Sequence, residues 1–565
     1  MNQDCAERII SEEYADFIFE YGQMPESLTN IPGFCYDVIN NIHAVLYVPV
    51  SQLPNNLIEK YSYSIYPNCF GLLDIGSLDD AGVTQIRNSP YLNLTGKSVL
   101  VGFIDTGIEY THQAFKNPDG TTRIVSIWDQ TIDTTDSRPA DFYYGTEYTQ
   151  EQINLALTSA DPLSIVPSTD TNGHGTALAG IAAGSRNENE RFSGVAQNAQ
   201  IVAVKLKPAK KQLREFFFIP PEAVCFQEND IMLGIKYLVG VANKLQRPIS
   251  ICIGVGTSQG PHDARSALSN YLSAMADQNG VGVTIAAGNE GNTRHHYSGT
   301  VDIATGYDTV ELRVGPNNNG FSMELWGNSP NIFSIDVLSP TGQYIPRIPA
   351  RLKETREINF IFENTKLFID YELVEAQTGN ELILIRFQTP MEGIWRFRVY
   401  SAINIEPRFN IWLPINSFLG EDTYFMQPDP YYTLTTPGNT FTPIVATSYN
   451  HVNQSLAINA SRGYTVANTI SPTLAAPGVD VIVPTLNDRY TINGGTSIAA
   501  AFTAGVVAML LEWGIVNGNQ TQFDTLQIKN FLIRGAKRDR NITYPNREWG
   551  YGILDVFNAF TSLQT

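Results

Sequence analysis

Four polar residues draw the eye because each sits among glycines at the edge of an apolar run: Asp105, His174, Asn289 and Ser497. Ser497 follows Gly494-Gly495-Thr496 and leads into Ile498-Ala499-Ala500-Ala501, small residues of high helix propensity. The pattern predicts a tight turn that delivers the hydroxyl to the first turn of a buried helix. Free N–H groups and the positive end of the helix dipole favour developing negative charge there. A serine hydroxyl is a weak nucleophile near neutral pH. It needs a base within hydrogen-bond reach, and an acceptor on the far ring nitrogen to orient that base. His174, in Asn172-Gly173-His174-Gly175-Thr176, and Asp105, closing Phe103-Ile104-Asp105, have the chemistry for those two parts. Asn289, in Gly288-Asn289-Glu290-Gly291, offers an amide that could hold an oxyanion together with the Ser497 N–H. Taken singly, each has an ordinary reading as a turn aspartate, a structural histidine, a left-handed asparagine or a helix cap. Taken together they complete one acyl-transfer site.

Positioning these residues calls for a parallel α/β sheet. Residues 98–104 form a continuous apolar run of the kind buried on both faces, ending in Asp105, where open α/β sheets keep their sites. Further strands are predicted at 199–206, 248–255, 282–287, 444–447 and 480–483, with helices at 147–157, 228–244 and 522–536. The βαβ alternation implies helices on both faces of the sheet. Between about residues 297 and 437 the chain changes to some eight short alternating strands separated by Pro/Gly/Asn turns, which predicts an inserted all-β sandwich or jelly roll. Residues 1–75 read as a small α+β unit, with a helix at 12–21 and a strand at 44–50, followed by a linker-like stretch at 71–82. The expected divisions are 1–75, 76–298, 299–436 and 437–565.

Composition narrows the classes. With 37 basic against 56 acidic residues the net charge is −19, which argues against nucleic-acid or anionic-membrane partners. No secretory signal is visible, and the apolar run 498–511 is shorter than a bilayer span and followed by Glu512. The five cysteines lie far apart in no metal or disulfide pattern, so thiols are expected throughout.

The segments around Asp105, His174, Asn289 and Ser497 resemble the signature segments of the subtilisin-like serine proteases (subtilases), including the chain order Asp…His…Ser. The resemblance covers roughly residues 80–296 and 438–560. It implies a serine endopeptidase in which Ser497 attacks, His174 serves as base and then acid, Asp105 fixes the imidazole tautomer, and Asn289 with the Ser497 amide holds the oxyanion. Gly254-Val255-Gly256 matches the edge strand that pairs with substrate backbone.

The long insert, Asn289-Glu290-Gly291-Asn292-Thr293-Arg294-His295-His296 and Thr257-Ser258-Gln259-Gly260-Pro261-His262-Asp263 are similar to the Csp germination proteases of clostridial spores. That narrower resemblance implies an N-terminal prodomain removed by autocleavage between about residues 61 and 79, and able to stay in the cleft. It further implies a cortex-hydrolase zymogen as protein substrate, and synthesis inside the cell with incorporation into the spore. Two departures stand out. Ala501 replaces the proline that commonly follows Gly-Thr-Ser-Met-Ala-Ala, and Ala114 replaces the aspartate that commonly binds calcium. A hard cation would lose a carboxylate there, so the usual tight calcium site is not expected; no cofactor is the reading, with calcium as the alternative. His112, His262, His295 and His296 fit no metal spacing. The alternatives are a general intracellular subtilase, or a catalytically silent relative serving as germination sensor or scaffold. The insert is expected to rigidify the catalytic part; a glycan-binding role is the other reading.

Overall fold

The computed structural model describes residues 6–20, 35–54, 56–73, 83–88, 92–403, 405–420 and 422–562. Most of the stretch read as a linker, and the end of the window expected to hold a cleavage point, lie outside them.

At the centre is a nine-stranded sheet. Its strands run, from one edge, Ser455–Leu456, Ile444–Asn450, Val281–Ala286, Ile249–Ile253, Leu100–Asp105, Gln200–Lys205, Ile124–Asp129 and Thr146–Thr149, with Leu474–Pro477 also paired to Ile444–Asn450. The interior pairings are parallel, and the two edge strands Thr146–Thr149 and Ser455–Leu456 are antiparallel. Every residue of Leu100–Asp105 is buried, as the unbroken apolar run requires. After this strand the chain builds the sheet first on one side and then on the other, which makes its C-terminal end the switch point where α/β sheets bind ligands.

Helices cover both faces. On one, His174–Ala183 and Thr496–Leu511 lie in one apolar core with Val101, Phe103 and Ile201. On the other, Glu228–Leu245 and Ala267–Ala276 share a core with Leu100, Ile104 and Ile251. Thr496–Leu511 is buried along its whole length and continues through a π-helical turn to Val516, so it is longer than the sequence suggests. By length and apolarity Thr496–Val516 could cross a membrane, yet 89% of its apolar window is buried inside the protein. It is the central core helix.

The first unit departs from expectation. Residues 14–20 form a strand, not a helix, and pair antiparallel with His43–Pro49, Tyr14 opposite Pro49. Tyr-Ala-Asp-Phe-Ile-Phe is β-prone and finds a partner strand, which overrides the helix expected at 12–21. Cys69, Cys225 and Cys252 are buried thiols as expected, whereas Cys35 is disulfide-bonded, which corrects the reading of thiols throughout.

The β-rich segment holds more strands than predicted. A six-stranded antiparallel sheet and a five-stranded one enclose a common core that includes Phe321, Phe333, Trp395 and Phe409. Gly393–Ser401 shows why the pattern was legible, since its Trp395, Phe397 and Val399 point inward between exposed arginines. A further core contains Phe17 and Leu46 of the first unit, Leu213 and Phe217 beside the central sheet, and Trp326, Leu382, Leu384 and Trp412 of the β-rich segment.

Candidate active site

Asp105 ends its strand, and His174 opens its helix behind Gly173, whose φ of 96° is left-handed. The two elements meet because residue 175 is glycine: a Cβ there would lie 2.2 Å from the Gly107 carbonyl oxygen. The Gly175 N–H donates instead to Thr106 Oγ1 at 3.0 Å. Nearby Asp170 fixes the start of the helix. Its Oδ1 accepts from the Asn172 and Gly173 N–H groups, both at 2.9 Å. Its Oδ2 accepts from Thr176 N at 3.0 Å and Thr176 Oγ1 at 2.8 Å.

Ser497 is the second residue of Thr496–Leu511, behind Gly495 at φ 147°. It is therefore not the cap itself, which corrects the bland reading of this stretch. Gly254 makes room for it: a Cβ at 254 would press on Leu178 at 2.4 Å and lie 3.2 Å from His174 Cε1 and 3.4 Å from Ser497 Cβ.

The three side chains converge across the sheet's C-terminal edge. His174 Nδ1 lies 2.8 Å from Asp105 Oδ1, and Nε2 lies 3.3 Å from Ser497 Oγ. A carboxylate only accepts, so Asp105 places the ring proton on Nδ1 and leaves the Nε2 lone pair toward the hydroxyl. All three groups are buried. Burial, and then the charge of Asp105, push the neighbouring Cys252 thiol up, so it stays protonated beside the site.

Asn289 follows the strand Val281–Ala286. Its Oδ1 accepts from Thr496 N at 3.2 Å and Thr496 Oγ1 at 3.1 Å, and the same hydroxyl accepts from Gly288 N at 3.1 Å. These bonds fix the amide oxygen of Asn289 against the start of the Ser497 helix.

The edge strand read as a substrate platform is occupied by the chain itself. Val255–Gly256 pairs antiparallel with Cys69–Leu72, Val255 opposite Leu72 and Gly256 opposite Gly71. On its other side Cys69–Leu72 pairs with Phe226–Gln227. Gln259 Oε1 accepts from Cys69 N at 2.8 Å, and Glu228 Oε2 from Asn68 N at 3.0 Å. The carbonyl oxygen of Leu73, the next residue, lies 3.4 Å from His174 Nε2. The Leu73 side chain is 2% exposed, with its Cδ1 against Gly256 beside Thr435.

Sequence reasoning had no sign of this strand, because Gly-Leu-Leu carries no motif. Asp170 and Thr496 were also missed as supports, although Thr496 adjoins Ser497 and Asp170 lies only two residues before the Asn172–Thr176 segment. Of the four scattered histidines, His262 and His296 stack on one ring, that of Trp412, at 4.0 and 4.9 Å, and the four form no common cluster. His112 meets the Arg489 carbonyl, His262 the Leu434 and Ser258 carbonyls, His295 Glu290, and His296 Asn410. Among the described residues no group of three or more His, Cys, Asp or Glu could hold a metal, and the buried side chain of Ala114 carries no oxygen.

Comparison with known proteins bears on the family of the chain. Residues 96–311 and 397–552 match the subtilase family, the unmatched interval falling in the β-rich segment. The chain is similar in structure to the CspB protease of Clostridium perfringens, with TM-score 0.76 and 32% identity over 86% of this chain and 96% of that one. Over 106 residues, 18% of this chain, it is 29% identical to the C5a peptidase of Streptococcus pyogenes serotype M18 (strain MGAS8232), of which that stretch spans 9%. The family match extends over more than half of the chain, which therefore belongs to the subtilases, the subtilisin-like serine proteases.

Proposed function

We propose that Ser497, His174 and Asp105 are the catalytic residues of an endopeptidase whose first substrate is its own N-terminal unit. Ser497 Oγ attacks the scissile carbonyl, His174 takes its proton and passes it to the leaving amine, and Asp105 holds the imidazole in register. Asn289 and the Ser497 N–H receive the oxyanion. Water then repeats the sequence on the acyl-enzyme. The chain's own residues suffice, and no cofactor enters the scheme.

One observation supports the self-processing reading: Cys69–Leu72 pairs with Val255–Gly256, the strand read as the substrate platform, and the carbonyl oxygen of the next residue, Leu73, lies 3.4 Å from His174 Nε2. Residues up to Leu73 thus act as a prodomain, the bond cut is Leu73–Asp74, and the S1 pocket accepts leucine. The inserted β-rich segment is read as a jelly-roll domain that rigidifies the enzyme. The core shared by the three parts supports a prodomain that stays docked after cleavage.

Likeness to a Csp protease supports the narrower role of activating a cortex-hydrolase zymogen in the germinating spore. A purified Ser497→Ala chain is expected to remain one polypeptide, while the unsubstituted protein yields a piece beginning at Asp74. Separation of Ser497→Ala into the same two pieces, with no other protease present, would refute processing by this site. Labelling by a fluorophosphonate probe tells an active serine from a silent scaffold.

A further inference from the structure

Gly71 lies third from the proposed scissile bond, at P3. Nothing in its backbone demands glycine, because it is absent from the residues with positive φ. What it lacks is space. A Cβ at residue 71 would lie 2.6 Å from Ile415 Cδ1, 2.9 Å from Ser417 Oγ and 3.3 Å from Phe418 Cε1. These three residues belong to one short turn that follows Arg408–Trp412, a strand of the β-rich segment. The turn is not free to retreat. Ile415 and Phe418 are buried, and Asn416 N donates to Glu290 Oε1 at 3.2 Å. Glu290 is next in sequence to Asn289. Its own N–H donates to Ser461 Oγ at 2.9 Å, and its Oε2 lies 3.0 Å from His295 Nδ1. Leu413 N donates to the His295 carbonyl at 2.9 Å, so the approach to the turn is pinned as well.

An extended peptide between two strands points alternate side chains to opposite faces. The P3 side chain therefore meets this turn, whatever the substrate. We infer that Ile415, Ser417 and Phe418 form a specificity wall by which the β-rich segment restricts P3 to glycine, so that substrates present an extended X-Gly-Leu-Leu-like sequence. The inference rests on the reading of Leu73 as P1. The three contacts are side-chain ends on a pinned turn, and those of Ile415 and Phe418 are buried, so a side chain here is overpacked; the expected penalty is about tenfold in rate for alanine and about a hundredfold for valine.

The test is the rate of self-processing in the full chain, followed by gel and by sequencing of the new N-terminus. Gly71→Ala and Gly71→Val are expected to slow cutting after Leu73 by those factors. Adding Ile415→Ala to Gly71→Val is expected to restore most of the rate, because it removes the atom nearest the intruding side chain. Should Gly71→Val prevent folding, judged by its thermal midpoint, the comparison is made with Gly71→Ala alone and with Ile415→Ala. Cutting of Gly71→Ala at the unsubstituted rate, or a slow variant that Ile415→Ala fails to relieve, overturns the wall. A new N-terminus other than Asp74 in the unsubstituted chain overturns the assignment of P1 instead, and the two failures are distinguished by that sequence.

Discussion

Replacing Thr496 by valine should separate the orientation of the oxyanion amide from its presence. The substitution is nearly isosteric and leaves Asn289 itself untouched. It removes one of the two donors to Asn289 Oδ1, the hydroxyl at 3.1 Å, and keeps the other, Thr496 N at 3.2 Å. A net hydrogen bond is worth about 0.5–1.5 kcal/mol. If that energy is what holds the amide aimed at the developing oxyanion, its loss lowers kcat by roughly two- to twelvefold, at about 1.4 kcal/mol per factor of ten. KM should hardly change, since the amide acts only on the transition state. Asn289→Gly, which removes the donor altogether, should cost about 10²–10³ in kcat. A second consequence is thermodynamic. The Gly288 N–H loses its acceptor at 3.1 Å and is buried, so stability should fall by about 1–3 kcal/mol. The assays are turnover of a leucyl-ester or peptide substrate ending in Leu, and thermal unfolding of the same samples. Unchanged turnover in Thr496→Val, alongside a large loss in Asn289→Gly, would mean that the hydroxyl does not aim the amide. A fall in KM-dependent terms only would also refute it.

Other expectations follow from groups buried away from the serine. Asp170→Ala strips the acceptor from three backbone N–H groups and the Thr176 hydroxyl, so it should destabilise by at least about 2–3 kcal/mol and lower kcat by loosening His174; wild-type turnover with a lowered thermal midpoint would deny it any hold on the histidine. Burial pushes the Glu381 carboxyl from its ordinary 4.5 up to about 8, only partly opposed by the Phe333 N–H at 2.5 Å. The folded protein therefore keeps that proton when the unfolded chain has lost it. Its contribution is full below about pH 4.5 and is lost as pH rises towards 8, at no more than about 1.4 kcal/mol per pH unit. Glu381→Gln should accordingly raise the melting temperature at pH 8 and leave it nearly unchanged at pH 4.5, and an equal shift at both pH values would count against the burial effect.

The central sheet was legible because its strands are buried on both faces and read as unbroken apolar runs ending in glycine-flanked polar residues. Leu100–Asp105 and Val281–Ala286 lie close to where that pattern predicts. The site residues were legible for a related reason: Gly175 and Gly254 are there to let backbone and catalytic side chains approach, and such glycines mark the sequence. The strand at 14–20 was not, because its strand character depends on a partner some thirty residues on. Cys69–Leu72 was invisible for a deeper reason. Its place between Val255–Gly256 and Phe226–Gln227 is a property of three distant segments, and no local pattern encodes it. The turn at Ile415–Phe418 was hidden likewise, since only Gly71 reveals what it is for.

The apolar core shared by Phe17, Leu46, Leu213, Phe217, Trp326, Leu384 and Trp412 bears on how this protein can be taken apart. Three lengths of chain that look modular in sequence contribute walls to a single interior. Excising the β-rich segment would not yield a smaller protease with one appendage fewer. It would uncover Phe217 and Leu213, remove the residues that press on Gly71, and take from the Tyr63 hydroxyl its short bond to Glu324 at 2.6 Å, leaving Asn68 Oδ1 at 3.4 Å. Truncation would thus confuse three losses, and the contribution of the insert must be read one side chain at a time.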